Sequence, residues 1–249
     1  MVPNVDLVLV IDESDSICPC IDQLRQHLHE LVKPMQGYVS RVRFGLVTVS
    51  ASDFNGSLAY NLRTLVGDWK SVEGLYRAGC EQSGYFTEDA DAFIKALDDI
   101  EVSADEHNLF ALDIALDNPF GPAANTKRVV APFSDETLEA SAHRAAGVEK
   151  LPQLIAKIHQ RRVKLFCAMP YSDAAQQLSE ANGSKLEIVD SDQGGGLVGI
   201  DFRALLSQMG KSISVSTLQG PLHEDAPVPL FGQNQWSAAS TGWNAQDDR

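Results

Sequence analysis

No apolar run in this chain of 249 residues reaches the roughly 18 needed to cross a bilayer as a helix. The opening Met1-Val2-Pro3-Asn4-Val5-Asp6 lacks the basic flank and long apolar stretch of a signal peptide, so the expected location is cytoplasmic. Basic residues are scarce: 20 Lys and Arg stand against 34 Asp and Glu, for a net charge of -14. A field of that sign repels phosphate backbones and anionic membrane surfaces and draws cations, which argues against nucleic acid or membrane as a partner. Cys18, Cys20, Cys80 and Cys167 form no C-x-x-C knuckle and offer little support for a zinc site. Cys18-Pro19-Cys20 is either a redox pair or a chance spacing at a helix start, with free thiols the expectation in a cytoplasmic setting. The histidines (His27, His29, His107, His143, His159, His223) include no i,i+4 pair and no H-E-x-x-H, so most read as surface or helix-face residues.

What is present is an alternation of strands and helices. Val5 to Ile11 is nearly continuous in β-branched residues and leucine, the pattern of a central parallel strand covered on both faces, and it runs straight into Asp12. Leu24, Leu28, Leu31, Val32 and Met35 recur at helical spacing, with Pro19 where a first helical turn tolerates it. Further strands are expected at Val42–Val49, Lys127–Ser134, Val163–Met169 and Lys185–Val189, and an antiparallel edge strand at Tyr60–Val66. Helices are expected around Phe93–Ile100, from near Glu106 through Leu116, and at Leu151–His159, Ala174–Glu180 and Phe202–Met209. The spacing predicts an α/β, Rossmann-like, doubly wound domain: a mostly parallel central sheet with one antiparallel edge strand and helices on both faces. Residues 1–217 form that domain, and residues 218–249, rich in Ser, Asn, Gln, Gly and Pro, read as an extended tail.

In open α/β sheets ligands sit beyond the carboxyl ends of the strands, and two acidic loops fall there. Asp12-x-Ser14-x-Ser16 follows the first strand, and Ser134-Asp135 ends another. Alternate residues of a tight loop can turn toward one point, so Asp12, Ser14 and Ser16 can offer a carboxylate and two hydroxyls to one hard cation, Mg²⁺, Mn²⁺ or Ca²⁺. With few carboxylates bound, such a cation keeps positive charge for a further acidic ligand, which suits binding more than catalysis. The plainer alternative is that Asp and Ser after a strand only cap the next helix.

These residues in this order resemble the von Willebrand factor A-type domains, whose metal-ion-dependent adhesion site combines Asp-x-Ser-x-Ser with a Thr from a second loop and an Asp from a third. The likeness extends over roughly Val5 to Val215. It implies Asp12, Ser14 and Ser16 as first-loop ligands and Asp135 as the third-loop aspartate, acting through water, with Mg²⁺ the first choice of metal. In the second loop the chain departs from the pattern: Ser103-Ala-Asp-Glu-His-Asn108 has no Thr, and Glu106, with Asn108 as fallback, takes its place. An acid there lowers the charge on the metal and favours Ca²⁺ or a structural site. His107 falls in this loop. The resemblance further implies a non-enzymatic adaptor that grips a partner's Asp or Glu. Gly199-Ile-Asp-Phe202 before the last helix is similar to bacterial intracellular members, for which an ATPase, kinase or phosphatase of the same system is the expected partner.

Two other functions remain open. An Asp after the first strand is similar to the haloacid-dehalogenase-like phosphatases, but their acid/base Asp two residues on is here Ser14. A domain of the same fold can also bind partners without metal. Gly194-Gly195-Gly196 resembles a phosphate loop yet no Lys-Ser/Thr follows, so it reads as a turn. Cys167, mid-strand, reads as core packing. Trp236 and Trp243, aromatic in a polar tail, are expected to dock on this domain or on a partner. Truncation after Thr217 is therefore expected to lower the melting temperature or weaken partner binding, and a truncated chain unchanged in both would refute the docking.

Overall fold

Val5 to Ile11 is apolar everywhere but Asp6, and a strand of that kind requires cover on both faces. A computed structural model describes residues 2–54, 57–64, 67–70, 85–98, 100, 105–106, 108–138, 150–181, 184–188 and 200–218, with backbone alone at 12, 15, 49–54, 57–64, 67–70, 105–106, 185–188 and 215–218. In chain order the elements are β1 (Asn4–Asp12), α1 (Cys18–Val32), β2 (Arg41–Phe54), β3 (Ser57–Thr64), β4 (Gly67–Lys70), α2 (Ala90–Asp98), β5 (Asp105–Glu106), α3 (Asn108–Leu116), β6 (Thr126–Phe133), α4 (Leu151–Arg161), β7 (Val163–Met169), α5 (Asp173–Glu180), β8 (Lys185–Ile188) and α6 (Phe202–Leu218). Short 3₁₀ turns at Asp15–Ile17 and Lys33–Met35 bracket α1.

The sheet order is β4-β3-β2-β1-β6-β7-β8, with β5 also paired to β2. β1 is parallel to both neighbours, and β6, β7 and β8 continue in the same sense. Alternation along the strands divides the core in two. Val5, Leu7, Leu9 and Ile11 face α1, α2 and α6 together with Val129, Ala131, Phe133, Phe166 and Ala168. Val8 and Val10 face α3, α4 and α5 together with Val130, Leu165, Cys167 and Met169. The doubly wound architecture expected from the strand and helix pattern is the one observed.

The antiparallel part is larger than the single edge strand expected at 60–66. β2 runs on to Phe54, five residues past Val49, where β1 ends at the Asp12–Val49 pair. Beyond that point both edges of β2 need partners. β3 takes one and continues into β4, while β5 takes the other, directly in line with β1.

The last helix is also longer than the expected Phe202–Met209, running to Leu218. Gly210 marks no stop there. A Cβ on it would stand 2.2 Å from the Leu31 carbonyl oxygen, so the missing side chain is what lets α6 lie against the end of α1. Past the glycine, Ile213 stays in the core and the Ser214 hydroxyl donates to the Pro34 carbonyl at 2.9 Å.

The amino end of the sheet is closed by a satisfied charge pair. Buried Asp6 takes two hydrogen bonds from Arg43, 2.7 and 2.6 Å, and a third from the Gly121 amide at 2.7 Å. The Arg43 guanidinium also lies 4.5 Å from the centre of the Phe86 ring. The bond to Asp6, opposed by burial, holds its pKa above the ordinary arginine value.

Gly210→Ala is expected to cost about 1–3 kcal/mol in chemical denaturation, because the intruding atom meets backbone and the two helices must separate. A variant of wild-type stability would show that α6 does not press on α1 in this way.

Candidate metal site at the carboxyl end of the sheet

Parallel strands deliver their carboxyl-end loops to one edge of the sheet, and the register of this one is specific. Ile11 pairs with Phe133, so Asp12 and Ser134, the next residues of β1 and β6, leave the sheet side by side. Along β2, Asp12 stands opposite Val49 and Glu106 opposite Ser50, so the backbone of β5 follows directly where β1 stops. Three chain segments, at Asp12, Glu106 and Ser134, therefore meet at the carboxyl end of β1.

The first loop turns immediately into the 3₁₀ turn, whose Ile17 amide bonds the Ser14 carbonyl at 3.2 Å. The Ser14 side chain does not cap that turn. Instead its hydroxyl lies 3.0 Å from that of Ser16, so the two hydroxyls of the Asp-x-Ser-x-Ser pattern do converge. Ser14 is nearly buried and Ser16 is exposed, which places the pair at the protein surface. Glu13, between Asp12 and Ser14, turns inward: it is buried, and its carboxylate accepts a hydrogen bond from the buried Thr48 hydroxyl. Thr48 is the register partner of Ile11, so this bond ties the start of the loop to β2.

The third loop is pinned from several sides. The Ser134 amide donates to the Ala168 carbonyl of β7 at 3.0 Å, and its buried hydroxyl accepts from the Glu136 amide at 3.1 Å. The same hydroxyl accepts from the Asn108 side-chain amide at 2.9 Å, which crosses from the start of α3. Asp135 lies between these anchored residues, and its Oδ1 is buried without a hydrogen-bond partner among the described residues. Burial, and then the neighbouring Asp135 charge, push the Glu136 carboxyl above its ordinary value. A buried carboxylate oxygen without a donor, beside a second acid under electrostatic pressure, is an arrangement that a cation relieves.

The donors available here are all oxygen: the Ser14 and Ser16 hydroxyls, the Asp135 carboxylate, and Asp12 and Glu106, which the backbone places at the same edge. Such a set fits a hard divalent cation rather than a thiophilic one. Among the described residues no three of His, Cys, Asp and Glu gather as a metal-binding cluster. His107, Gly194 to Gly196, Trp236 and Trp243 lie outside the described residues.

Sequence reasoning missed the two bonds that hold the loops, Thr48 to Glu13 and Asn108 to Ser134. A signal for the first was present: Thr48 is a hydroxyl within the apolar run Phe44 to Val49. Among the described residues no disulfide forms, with Cys18 exposed and Cys20 and Cys167 buried. Burial pushes the Cys167 thiol up to about 12, so it is a packing residue rather than a nucleophile.

Comparison of the fold with solved structures finds the same architecture. Proximal thread matrix protein 1 from the mussel byssus, solved with a zinc occupied MIDAS motif, is 10% identical with a TM-score of 0.52, over 86% of this chain and 46% of its own. Human COPII-coat protein Sec24c is 13% identical with a TM-score of 0.55, over 85% of this chain and 32% of its own. A von Willebrand factor type A protein from Catenulispora acidiphila is 14% identical with a TM-score of 0.48, over 84% and 43%. The fold is that of a von Willebrand factor A-type domain. No family model and no curated protein sequence matches the chain. The chain spans less than half the length of each of these three structures.

Thr48→Val, nearly isosteric, is expected to cost about 1–3 kcal/mol, because it strips a donor from a buried carboxylate. Thr48→Ser, which keeps the hydroxyl, is expected to cost less. Equal losses in the two variants, measured by urea denaturation, would mean that the bond to Glu13 contributes nothing.

Proposed function

We propose that this A-type domain is a non-enzymatic protein-interaction module that holds a partner's Asp or Glu through a divalent cation at Asp12, Ser14, Ser16 and Asp135, with Glu106 supplying the second-loop oxygen. Mg²⁺ is the first candidate, with Mn²⁺ and Ca²⁺ next. The observation that carries this reading is the buried Asp135 Oδ1, which has no hydrogen-bond partner among the described residues, in a loop that leaves the sheet beside Asp12. The fold neighbour solved with a zinc occupied MIDAS motif supports it, since the same architecture holds a divalent ion there.

Charge gives a second support. The three loops carry Asp12, Glu13, Asp15, Asp105, Glu106, Asp135 and Glu136 but neither Lys nor Arg, in a chain of net charge -14. Such a surface repels an acidic side chain unless a local positive centre is supplied. When bound, the cation supplies that centre as a Lewis acid with a coordination position for the partner's carboxylate. The chain's own part is to fix the donors: β1, β5 and β6 set their spacing, and the bonds to Glu13 and Ser134 hold two of the loops.

No helix among the described residues is long and apolar enough to cross a membrane. The partner envisaged is a protein, with an ATPase, kinase or phosphatase of the same system the first to test, in the cytoplasm of a bacterium. Trp236 and Trp243 in the tail are proposed as additional partner contacts.

Calorimetric titration of Mg²⁺, Mn²⁺ and Ca²⁺ into the metal-stripped chain, beside Asp12→Ala, tests the site. Saturable binding is expected in the wild type and a loss of at least roughly a hundredfold in the variant, on the scale of removing a charged ligand, at about 3 kcal/mol. Identical heats in the two proteins would overturn the reading.

A further inference from the structure

Asn108 is the first residue of α3, and its side chain reaches away from its own helix. It is buried, 5% exposed, and its amide nitrogen, which can only donate, reaches across 26 positions of sequence to the Ser134 hydroxyl.

The receiving hydroxyl is the hub of the third loop. Ser134 is fully buried, and its oxygen accepts from both the Asn108 side chain and the Glu136 amide, while Asp135 lies between Ser134 and Glu136 in sequence. Its own amide is held by β7. With Ser134 held by these bonds, the turn 134–136 has little freedom, and the Asp135 carboxylate keeps the arrangement in which Oδ1 is buried without a protein partner. Left to relax, a short loop carrying an orphaned carboxylate turns it toward water or a nearby amide, because the orphan costs free energy. Something must oppose that relaxation, and the bond from α3 is placed to do so.

We infer that Asn108 is a positioning residue of the metal site: it acts through Ser134 to hold the Asp135 carboxylate ready for the cation, rather than binding the cation itself. This rests on the metal reading of the site given above. It also accounts for the missing second-loop Thr. Glu106 stands at the sheet edge next to Asp12, while Asn108, two residues on, couples the second loop to the third. Residues that orient a metal ligand without touching the metal typically govern affinity by ten- to a hundredfold.

The test is a cycle of Mn²⁺ titrations on the full chain, with metal-free melting temperatures measured alongside: wild type, Asn108→Ala, Asn108→Ser, Ser134→Ala, and the Asn108→Ala/Ser134→Ala double variant. Serine suits a helix start but is too short to reach Ser134, so it breaks the link even if the alanine variant fails to fold. Each single variant is expected to weaken Mn²⁺ binding by roughly ten- to a hundredfold, and the double variant no further than the weaker single. Wild-type affinity in Asn108→Ser would overturn the positioning role alone and leave the site standing. Losses that multiply in the double variant would also overturn it, because Asn108 would then act independently of Ser134. A wild type that binds no Mn²⁺ would remove the metal site, and this inference with it.

Discussion

The parallel pairing of β1 with β2 on one side and β6 on the other is the constraint on which the rest depends. A strand without polar alternation cannot sit at a wetted face, so it goes to the middle, where both faces are covered and both edges are hydrogen-bonded. Once there, its direction is shared by its neighbours and all their carboxyl ends point one way. The acidic loop after β1 then has two neighbours prescribed by register: the end of β6 through Ile11–Phe133, and β5 through the continuation of β2. A slip of one residue in either pairing would turn the apolar set of β1 to the wrong layer, so the loops are located by the same free energy that forms the core.

The two ends of this sheet treat buried acids in opposite ways. At the amino end Asp6 has donors from Arg43 and Gly121, and the pair is complete within the protein. At the carboxyl end Glu13 takes a hydrogen bond from the Thr48 hydroxyl, and the Asp135 Oδ1 has no donor among the described residues. In the function proposed here, the acids at the carboxyl end are the ones that serve a cation.

Much of this was legible in the residues because the strands are pure in type. β7 was expected at Val163–Met169 and is found there, as every one of its residues is buried. α6 was read short because Gly210 and the serines after it resemble a helix end, whereas their role depends on Leu31 and Pro34, which no local pattern exposes. β4 escaped for a similar reason: Gly67–Lys70 has little apolar character, and its pairing comes from an edge that β3 leaves open. Of the site, Asp12, Ser14, Ser16 and Asp135 were visible as strand-end residues. The Asn108–Ser134 bond was not, since hydrogen bonds between loops follow from register rather than from spacing.

The pairing of Asn4 with Thr126 also has a consequence in time. Contacts between segments so far apart in sequence are costly to close, and they form late in folding relative to hairpins and helices. β1, although made early, has no partner on its β6 side until more than half of the chain has left the ribosome. The acidic loop at its end acquires its neighbour Asp135 only then. During synthesis, therefore, Asp12, Ser14 and Ser16 stand without the third loop, and the ligand set proposed here is complete only in a chain that has finished building its central sheet.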